Sequence, residues 1–532
     1  MKITMKHTRK VGLFLGPALF LIVLFFPTLL LEELSFEARI VLGATLWMAV
    51  WWITEAIPIY VTALLPFIIF PSLGVTDLQE TAASYADRII FLFLGGFMLA
   101  KAMERSNLHS RFALNILKVF GTNPKYIVAA FMMVIFLLGA WMSNTAITML
   151  MLPVAIAVIS QFRSSASDKE RFGLCLMLSL AYSASISGVA TLIASPPNAI
   201  FASLSEEITG LEVSFSQWIA IGFPIGVISI LIAWLYMVNF GVSIRGIKPI
   251  TGEKRVIETK LSELGSITRN EKLVLGVFVA TAIAWVTRGL LWGQFVPTID
   301  DSAIAVAAIF LLFVLPSSSF RREKTRLKQN EQVNEYQKNI IESTRRIDIS
   351  SSKKTNDKGV DAENEEQEEN KKGNRLLDWK SAAQIPWEVL LLIGGGIALA
   401  NAFIATGLDD LVAEQLIFLE GMNHIITILI IVAVTAVVGE VISNTATAAL
   451  MIPISASLAT SLDVNPILFM VPVTIVTSFS FMMPVSTPPN TIVFASGYVT
   501  TSSMVRAGLP LKVIGIAIVT ILTIILVPLI WK

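Results

Sequence analysis

Only 15% of this 532-residue chain is charged, one cysteine is present, and the three histidines are scattered. Soluble domains carry about 25% charged residues, so a chain this poor in charge and 55% hydrophobic reads as an integral membrane protein. The lone Cys175 excludes an intramolecular disulfide and a cysteine-built metal site. His7, His109 and His424 lie far apart, which removes support for a histidine metal cluster or a phosphohistidine relay. No Gly-x-x-x-x-Gly-Lys-Ser/Thr loop is present, arguing against a fused ATPase. The net charge of +1 gives no hint of nucleic acid as a partner. An enzyme would need a nucleophile–base pair or a metal cluster, and the apolar segments offer neither. A channel would more naturally carry rings of charge, and none is evident.

Apolar runs long enough to cross about 30 Å of hydrocarbon recur along the chain. The expected spans are 11–31, 38–54, 57–73, 88–118, 172–203, 216–240, 271–289, 302–316, 386–408, 467–499 and 508–531. Lys2, Lys6, Arg9 and Lys10 precede the first run as in a signal peptide, but the run is long and no small-residue cleavage site follows, so it reads as a retained span. The stretches 126–161 and 425–461 are each too short for two crossings of about 20 residues with a turn. They are expected to be re-entrant hairpins, a form tolerated only where backbone lines protein or a polar cavity.

Charge segregates with this arrangement, as Lys and Arg stay cytoplasmic. With the N-terminus inside, inner segments hold Arg105, Arg111 and Lys118, then Arg163, Lys169 and Arg171, then Arg245, Lys248, Lys254 and Arg255. Outer segments hold Glu32, Glu33 and Glu37, Asp77 and Glu80, Glu206 and Glu207, Asp300 and Asp301, and Asp409 and Asp410. Eleven spans leave the C-terminus outside. The 317–380 loop opens with Arg321, Arg322, Lys324, Arg326 and Lys328 and later carries Glu363, Glu365, Glu366, Glu368 and Glu369. It reads as a charged, disordered cytoplasmic linker.

Against this apolar background, polar interruptions occur twice. Ser143-Asn144-Thr145 and Ser443-Asn444-Thr445 are offset by 300 residues, and the same offset carries Gly95-Gly96 onto Gly395-Gly396 and Pro153 onto Pro453. Ser195-Pro196-Pro197-Asn198 and Thr487-Pro488-Pro489-Asn490 follow at similar distances. Five expected crossings separate the glycine pairs, and five is odd, so the repeats point in opposite directions. This predicts an all-α inverted-topology repeat of the kind many secondary transporters use. The tripeptides offer hydroxyls, a carboxamide and exposed backbone at a helix break. Helix N-termini and amides suit an anion, whereas carbonyls and side-chain oxygens suit a small cation. Paired prolines break a span and free upstream carbonyls.

No Lys, Arg, Asp or Glu occurs between Tyr126 and Ile159, Phe172 and Ser203, or Pro466 and Tyr498. An anion bound there has no side-chain counter-charge, a physical reason to expect co-bound cations and hence cation-coupled symport. Glu440 is the exception, read either as an aid to cation binding, as a proton-sensitive group, or as a structural carboxylate bonded to backbone or water. Glu55 is expected to mark a turn between spans, and Lys101, Glu104 and Arg105 to sit at the inner interface.

With these residues in hand, the chain resembles the divalent anion–sodium symporter family, carriers of dicarboxylates, citrate and sulfate. The matching elements are Trp52-Ile53-Thr54-Glu55-Ala56-Ile57-Pro58, Phe93-Leu94-Gly95-Gly96-Phe97, both Ser-Asn-Thr motifs and both Pro-Pro-Asn loops. The resemblance implies a dimerising scaffold and a transport domain that slides like an elevator. The corresponding partition is 1–87 and 204–316 as scaffold spans, 88–203 and 386–499 as transport halves, 317–385 as the charged loop and 500–532 as a C-terminal span. The broken helices fall at 172–203 and 467–499.

By the same resemblance, Ser143, Asn144, Thr145, Ser443, Asn444 and Thr445 contact the substrate, completed by Ser195, Pro196, Thr487 and Pro488. One sodium is expected at Gly139, Ser143, Asn144 and Ala194, and another at Gly439, Ile442, Asn444 and Ser486. Sodium is here cargo, and no cofactor is implied. Ala194-Ser195 stands where relatives commonly have Gly-Thr, and Gly439 where a hydroxyl residue is often found. The function implied is sodium-driven symport of a C4 dicarboxylate such as succinate, malate or fumarate across the plasma membrane by a homodimer. A sodium-independent dicarboxylate exchanger, or a sulfate or citrate symporter on the same fold, is the alternative.

Overall fold

The computed structural model describes residues 2–26, 34–119, 121–161, 165–249, 253–293, 295–296, 298–317, 375–408 and 422–531. Most of the charged 317–385 loop, together with Glu32, Glu33, Arg163, Asp409 and Asp410, lies outside the described residues. Among the described residues the fold is all-helical, with only an isolated bridge between Pro316 and Arg375.

Among the described residues, six helices are long and apolar enough to cross a membrane: Thr8–Phe25, Phe36–Thr54, Phe215–Gly241, Arg269–Thr287, Trp387–Ala405 and Thr501–Ile530. They coincide with six of the expected spans. The other five are interrupted or short. The 57–73 stretch divides into Ile59–Thr62 and Leu65–Leu73. The 88–118 stretch ends its first helix at Arg105 and restarts at Leu108, because Asn107 takes a left-handed conformation (φ 61°) that an α-helix cannot continue through. The second piece, Leu108–Val119, is amphipathic and packs against another amphipathic helix, Glu253–Leu264. Arg111 fastens this pair, bonding the buried Glu271 at 2.6 Å and the carbonyls of Leu264 and Gly265.

Helix starts follow from local chemistry. Ser214 with Gln217 and Thr268 with Glu271 form capping boxes, each satisfying orphan N–H groups reciprocally. Glu55 ends Phe36–Thr54 in the left-handed conformation (φ 46°) and pairs with Arg9 at 2.6 Å, so it marks a turn. Lys101 and Glu104 pair at 3.2 Å, and Arg105 reaches Asp378 at 2.6 Å. The repeated glycines serve close packing. A Cβ on Gly95 would lie 2.5 Å from the Cβ of Ala305, and one on Gly395 would lie 2.1 Å from the Ala63 carbonyl oxygen. Helix Arg88–Arg105 accordingly packs on Asp301–Val314, and Trp387–Ala405 packs on the short helices after Glu55. Arg88 also ties Glu206 and Glu212 together at the end of its helix.

Each apolar stretch around a Ser-Asn-Thr folds as two short helices. The first pair is Pro124–Gly139 and Asn144–Ser160, and the second is His424–Val438 and Asn444–Ser461. Their 15 to 18 residues correspond to about 23–27 Å at 1.5 Å per residue, short of the hydrocarbon thickness. Beside each pair stands a broken helix. The first runs Ala166–Ser187, unwinds, and resumes at Pro196–Thr209; the second runs Ile467–Thr477, unwinds, and resumes at Pro488–Ala495. The unwinding ends where it must, since Ser195 and Thr487 precede proline and are extended (φ −151° and −142°). The prolines that follow occupy the first helical turn, where no N–H is missed.

Candidate functional site

The two halves interlock. Pro488–Ala495, the resumed part of the second broken helix, packs against Asn144–Ser160 and Ala166–Ser187 of the first half. Pro196–Thr209 packs in return against Asn444–Ser461 and Ile467–Thr477. Polar contacts join the halves where the helices are broken: Ser195 Oγ lies 3.4 Å from Ser478 Oγ, and Ser185 Oγ lies 3.4 Å from the Ser480 carbonyl oxygen.

Each Ser-Asn-Thr is built the same way. Ser143 and Ser443 are N-caps, their hydroxyls accepting from the Ala146 and Ala446 amides at 3.2 and 3.3 Å. Capping satisfies one orphan N–H of each helix start, so the Asn and Thr that follow lie on the first turn, at the positive end of the helix dipole. Asn144 and Asn444 are half-buried; Thr145 is half-buried and Thr445 buried.

A serine from the broken helix meets each asparagine. Ser187 Oγ lies 3.1 Å from Asn144 Oδ1 and 2.7 Å from the Ala184 carbonyl oxygen. Ser480 Oγ lies 3.1 Å from Asn444 Oδ1 and 3.0 Å from the Gly439 carbonyl oxygen. One hydroxyl proton serves a single acceptor at a time, so each node has one oxygen more than its protons satisfy. An oxygen-rich node of this kind suits a small hard cation. Among the described residues no cluster of His, Cys, Asp and Glu with metal-binding composition occurs.

Asn198 and Asn490 shape the unwound loops from beneath. Both are fully buried. Asn198 Nδ2 donates to the carbonyls of Gly188 and Thr191 at 2.8 and 2.9 Å. Asn490 Nδ2 donates to the carbonyls of Ser480 and Met483 at 3.2 and 3.0 Å and to Ser486 Oγ at 3.0 Å. Thr487 caps the Asn490 amide, whereas Ser195 makes no such cap. Pro196 is half-buried and Pro488 is exposed. Ala194 closes a short 3-10 turn, and Ile442 is buried beside the second tip. Among the described residues no hydrogen bond joins the two tripeptides directly; their nodes communicate through the broken helices.

The two cation-expected glycines differ. A Cβ on Gly139 would lie 2.2 Å from Ser187 Oγ, whereas one on Gly439 would meet nothing closer than 3.4 Å. Glycine is therefore sterically required at 139 and optional at 439.

Glu440 is buried, and its environment is structural. Its Oε1 accepts from the Phe481 amide at 2.8 Å and from Lys512 Nζ at 2.7 Å. Its Oε2 accepts from the amides of Met482 and Met483 at 3.2 and 3.3 Å. Sequence reasoning placed neither Ser187, Ser480 nor Lys512 in the site. Lys512 carried a usable signal, a charge inside an apolar helix; the serines were lost among many polar residues of the same stretches.

Among solved structures, the fold is similar to Neisseria gonorrhoeae MtrF (TM-score 0.51, 14% identity, 84% of this chain and 83% of that one). It is also similar to the Alcanivorax borkumensis YdaH transporter (TM-score 0.52, 11% identity, 86% and 89%). These likenesses define an all-helical fold shared with those two proteins. The chain matches the family described as "Sodium:sulfate symporter transmembrane region" over residues 7–531 and belongs to it. It is 35% identical over 529 residues to the sodium-dependent dicarboxylate transporter SdcS of Staphylococcus saprophyticus, covering 97% of this chain and 91% of the relative. It is 34% identical to SdcS of Staphylococcus aureus, covering 98% and 91%. The family and these relatives are transporters and not enzymes.

Proposed function

We propose that this protein is a sodium-coupled symporter of C4 dicarboxylates such as succinate, malate or fumarate. The observation that carries the reading is the pair of oxygen-rich nodes at the two Ser-Asn-Thr helix starts, in a chain whose near-full-length relatives are named sodium-dependent dicarboxylate transporters. The two short helix pairs act as re-entrant hairpins of an inverted repeat, entering from opposite sides. The substrate carboxylates lie against Ser143, Asn144 and Thr145 on one side and Ser443, Asn444 and Thr445 on the other, with Ser195, Pro196, Thr487 and Pro488 completing the cradle. Helix N-termini supply the positive potential that the charge-free segments lack.

One sodium binds at Gly139, Ser143, Asn144 and Ala194, and a second at Gly439, Ile442, Asn444 and Ser486. Each offsets part of the substrate's charge, so loaded carrier crosses more readily than carrier holding the anion alone. Residues 88–203 and 386–499 form the moving halves, 1–87 and 204–316 the scaffold spans of a homodimer in the plasma membrane, and 500–532 a C-terminal span. The N-terminus is cytoplasmic and the C-terminus extracytoplasmic.

Uptake of labelled succinate into proteoliposomes, with and without an inward sodium gradient, tests the coupling. Accumulation only with the gradient is expected; equal uptake without sodium refutes it and favours exchange. Competition by unlabelled fumarate, citrate and sulfate ranks the substrates, and sulfate displacing succinate best would reassign the cargo.

A further inference from the structure

The C-terminal helix Thr501–Ile530 repeats a stretch of the first half. Gly222-Phe223-Pro224-Ile225-Gly226 in the helix Phe215–Tyr236 aligns with Gly508-Leu509-Pro510-Leu511-Lys512, sharing the glycine and the proline with apolar residues between and after them, and the two helices pack together. The leading glycines do the same work in each. A Cβ on Gly222 would lie 2.1 Å from the Val189 carbonyl oxygen, and one on Gly508 would lie 2.5 Å from the Phe481 carbonyl oxygen. Both helices therefore press on the unwound loop of their own half. One turn further on the halves diverge: Gly226 faces the Phe136 ring, whereas Lys512 reaches into the loop. At the hairpin side, Ala140 stands where the second half has Glu440. Two neutral residues in one half are thus replaced together by a cation and an anion in the other, 2.7 Å apart and nearly inaccessible (side chains 4% and 5% exposed).

The pair is aimed at backbone. Glu440 gathers the three consecutive amides of Phe481, Met482 and Met483, while Asn490 gathers the carbonyls of Ser480 and Met483 from the other side. The loop is clamped by opposite polarities, and Ser480, which holds Asn444 and the Gly439 carbonyl, sits at its start. Glu440 directly follows Gly439 in the chain, so the charge of the pair lies within a few residues of the second node.

We propose that Lys512 and Glu440 are positioning residues for cation binding in the second half: together they fix the 480–486 loop, and their mutual neutralisation sets the potential at the second node. The inference rests on reading that node as a cation pocket. Removing the carboxylate leaves Lys512 as an uncompensated positive charge near the cation. Removing the lysine leaves Glu440 as an uncompensated negative one. Unpaired charges in a site of low dielectric act strongly on a neighbouring ion. The two single substitutions therefore move sodium affinity in opposite directions, which loss of a merely structural clamp does not do.

The experiment uses full-length protein in proteoliposomes, reading the sodium concentration for half-maximal succinate uptake, and purified protein in detergent, reading the sodium-dependent rise in Tm without substrate. Glu440→Gln is expected to raise half-saturating sodium about tenfold, and Lys512→Met to lower it by about threefold or more. The double variant is expected to return within about threefold of the wild type, since a neutral replacement of a buried pair is tolerated better than a half-pair. If a single variant fails to fold, the double variant and the Tm readout carry the test. Same-direction shifts in both single variants, or a folded double variant that has lost its sodium response, would overturn the proposal. A wild type with no sodium response in either readout would instead refute the cation reading beneath it.

Discussion

The first half holds its broken helix with neutral groups, whereas the second holds its own with a buried ion pair. Around residues 188–195 the donors are the Asn198 amide, the Trp218 indole on the Val189 carbonyl and the Thr191 hydroxyl on the Ala140 carbonyl. Around residues 478–487 the Asn490 amide is joined by Glu440 and Lys512. Neutral bonds are short-ranged, whereas a charge pair acts further. The halves also differ in space: a Cβ at 139 would meet Ser187 Oγ at 2.2 Å, and one at 439 nothing closer than 3.4 Å. Two sites built on the same Ser-Asn-Thr motif are therefore expected to respond differently to the same change.

The largest test concerns what the halves have in common. Asn144→Ala and Asn444→Ala each remove the oxygen that meets a serine of the broken helix. Both are expected to abolish succinate uptake while leaving the protein folded; wild-type uptake in either refutes the node it serves. The next test separates the halves. Gly139→Ala drives a methyl into Ser187 and is expected to eliminate sodium-dependent uptake, whereas Gly439→Ala retains at least about half of it, because overpacking costs arise only where space is absent. Equal loss at both positions erases the steric distinction.

A smaller effect lies beneath the loops. Asn198→Ala and Asn490→Ala each remove a two-proton donor from loop carbonyls, and a buried acceptor left without a partner costs about 1–3 kcal/mol. Thermal unfolding should show the larger drop for Asn198→Ala, because the Ser480 and Met483 carbonyls keep Ser185 Oγ and Ser486 as donors, whereas among the described residues Asn198 is the side-chain donor to the Gly188 carbonyl. The smallest concerns the ends of the broken helices. The first ends near Glu207, whose carboxyl is pushed up to about 7 by burial and by Asp87, Glu80 and Glu206. A raised carboxyl contributes stability when protonated and loses it as pH rises from about 4.5 towards 7. Glu207→Gln should therefore flatten the pH dependence of Tm between pH 5 and 8, and an unchanged slope would discount the cluster.

The repeat was legible in the sequence because its markers are chemically costly in a membrane. Ser-Asn-Thr and Pro-Pro-Asn interrupt apolar helices, so their positions stand out, and the helix breaks fall beside them. Glu440 stood out for the same reason, though its role depended on partners invisible to spacing: three backbone amides and a lysine 72 residues away. Ser187 and Ser480 were hidden because serine is common in these stretches and only the fold selects which hydroxyl faces an asparagine. The break at Asn107 did carry a signal: Glu104, Arg105, Ser106, His109, Ser110 and Arg111 surround it with polar residues between two apolar runs, but a single span laid over 88–118 absorbed them.

The crossing of the resumed helices bears on how the protein is made. Ser185 and Ser480 meet across 295 residues, and at about 5–20 residues per second the ribosome needs about 15–60 s to supply the second after the first. Throughout that interval the helices Asn144–Ser160 and Ala166–Ser187 lack the helix Pro488–Ala495 that later packs on them. Newly inserted chains therefore pass through a stage in which the polar contact between Ser185 and Ser480 has not yet formed.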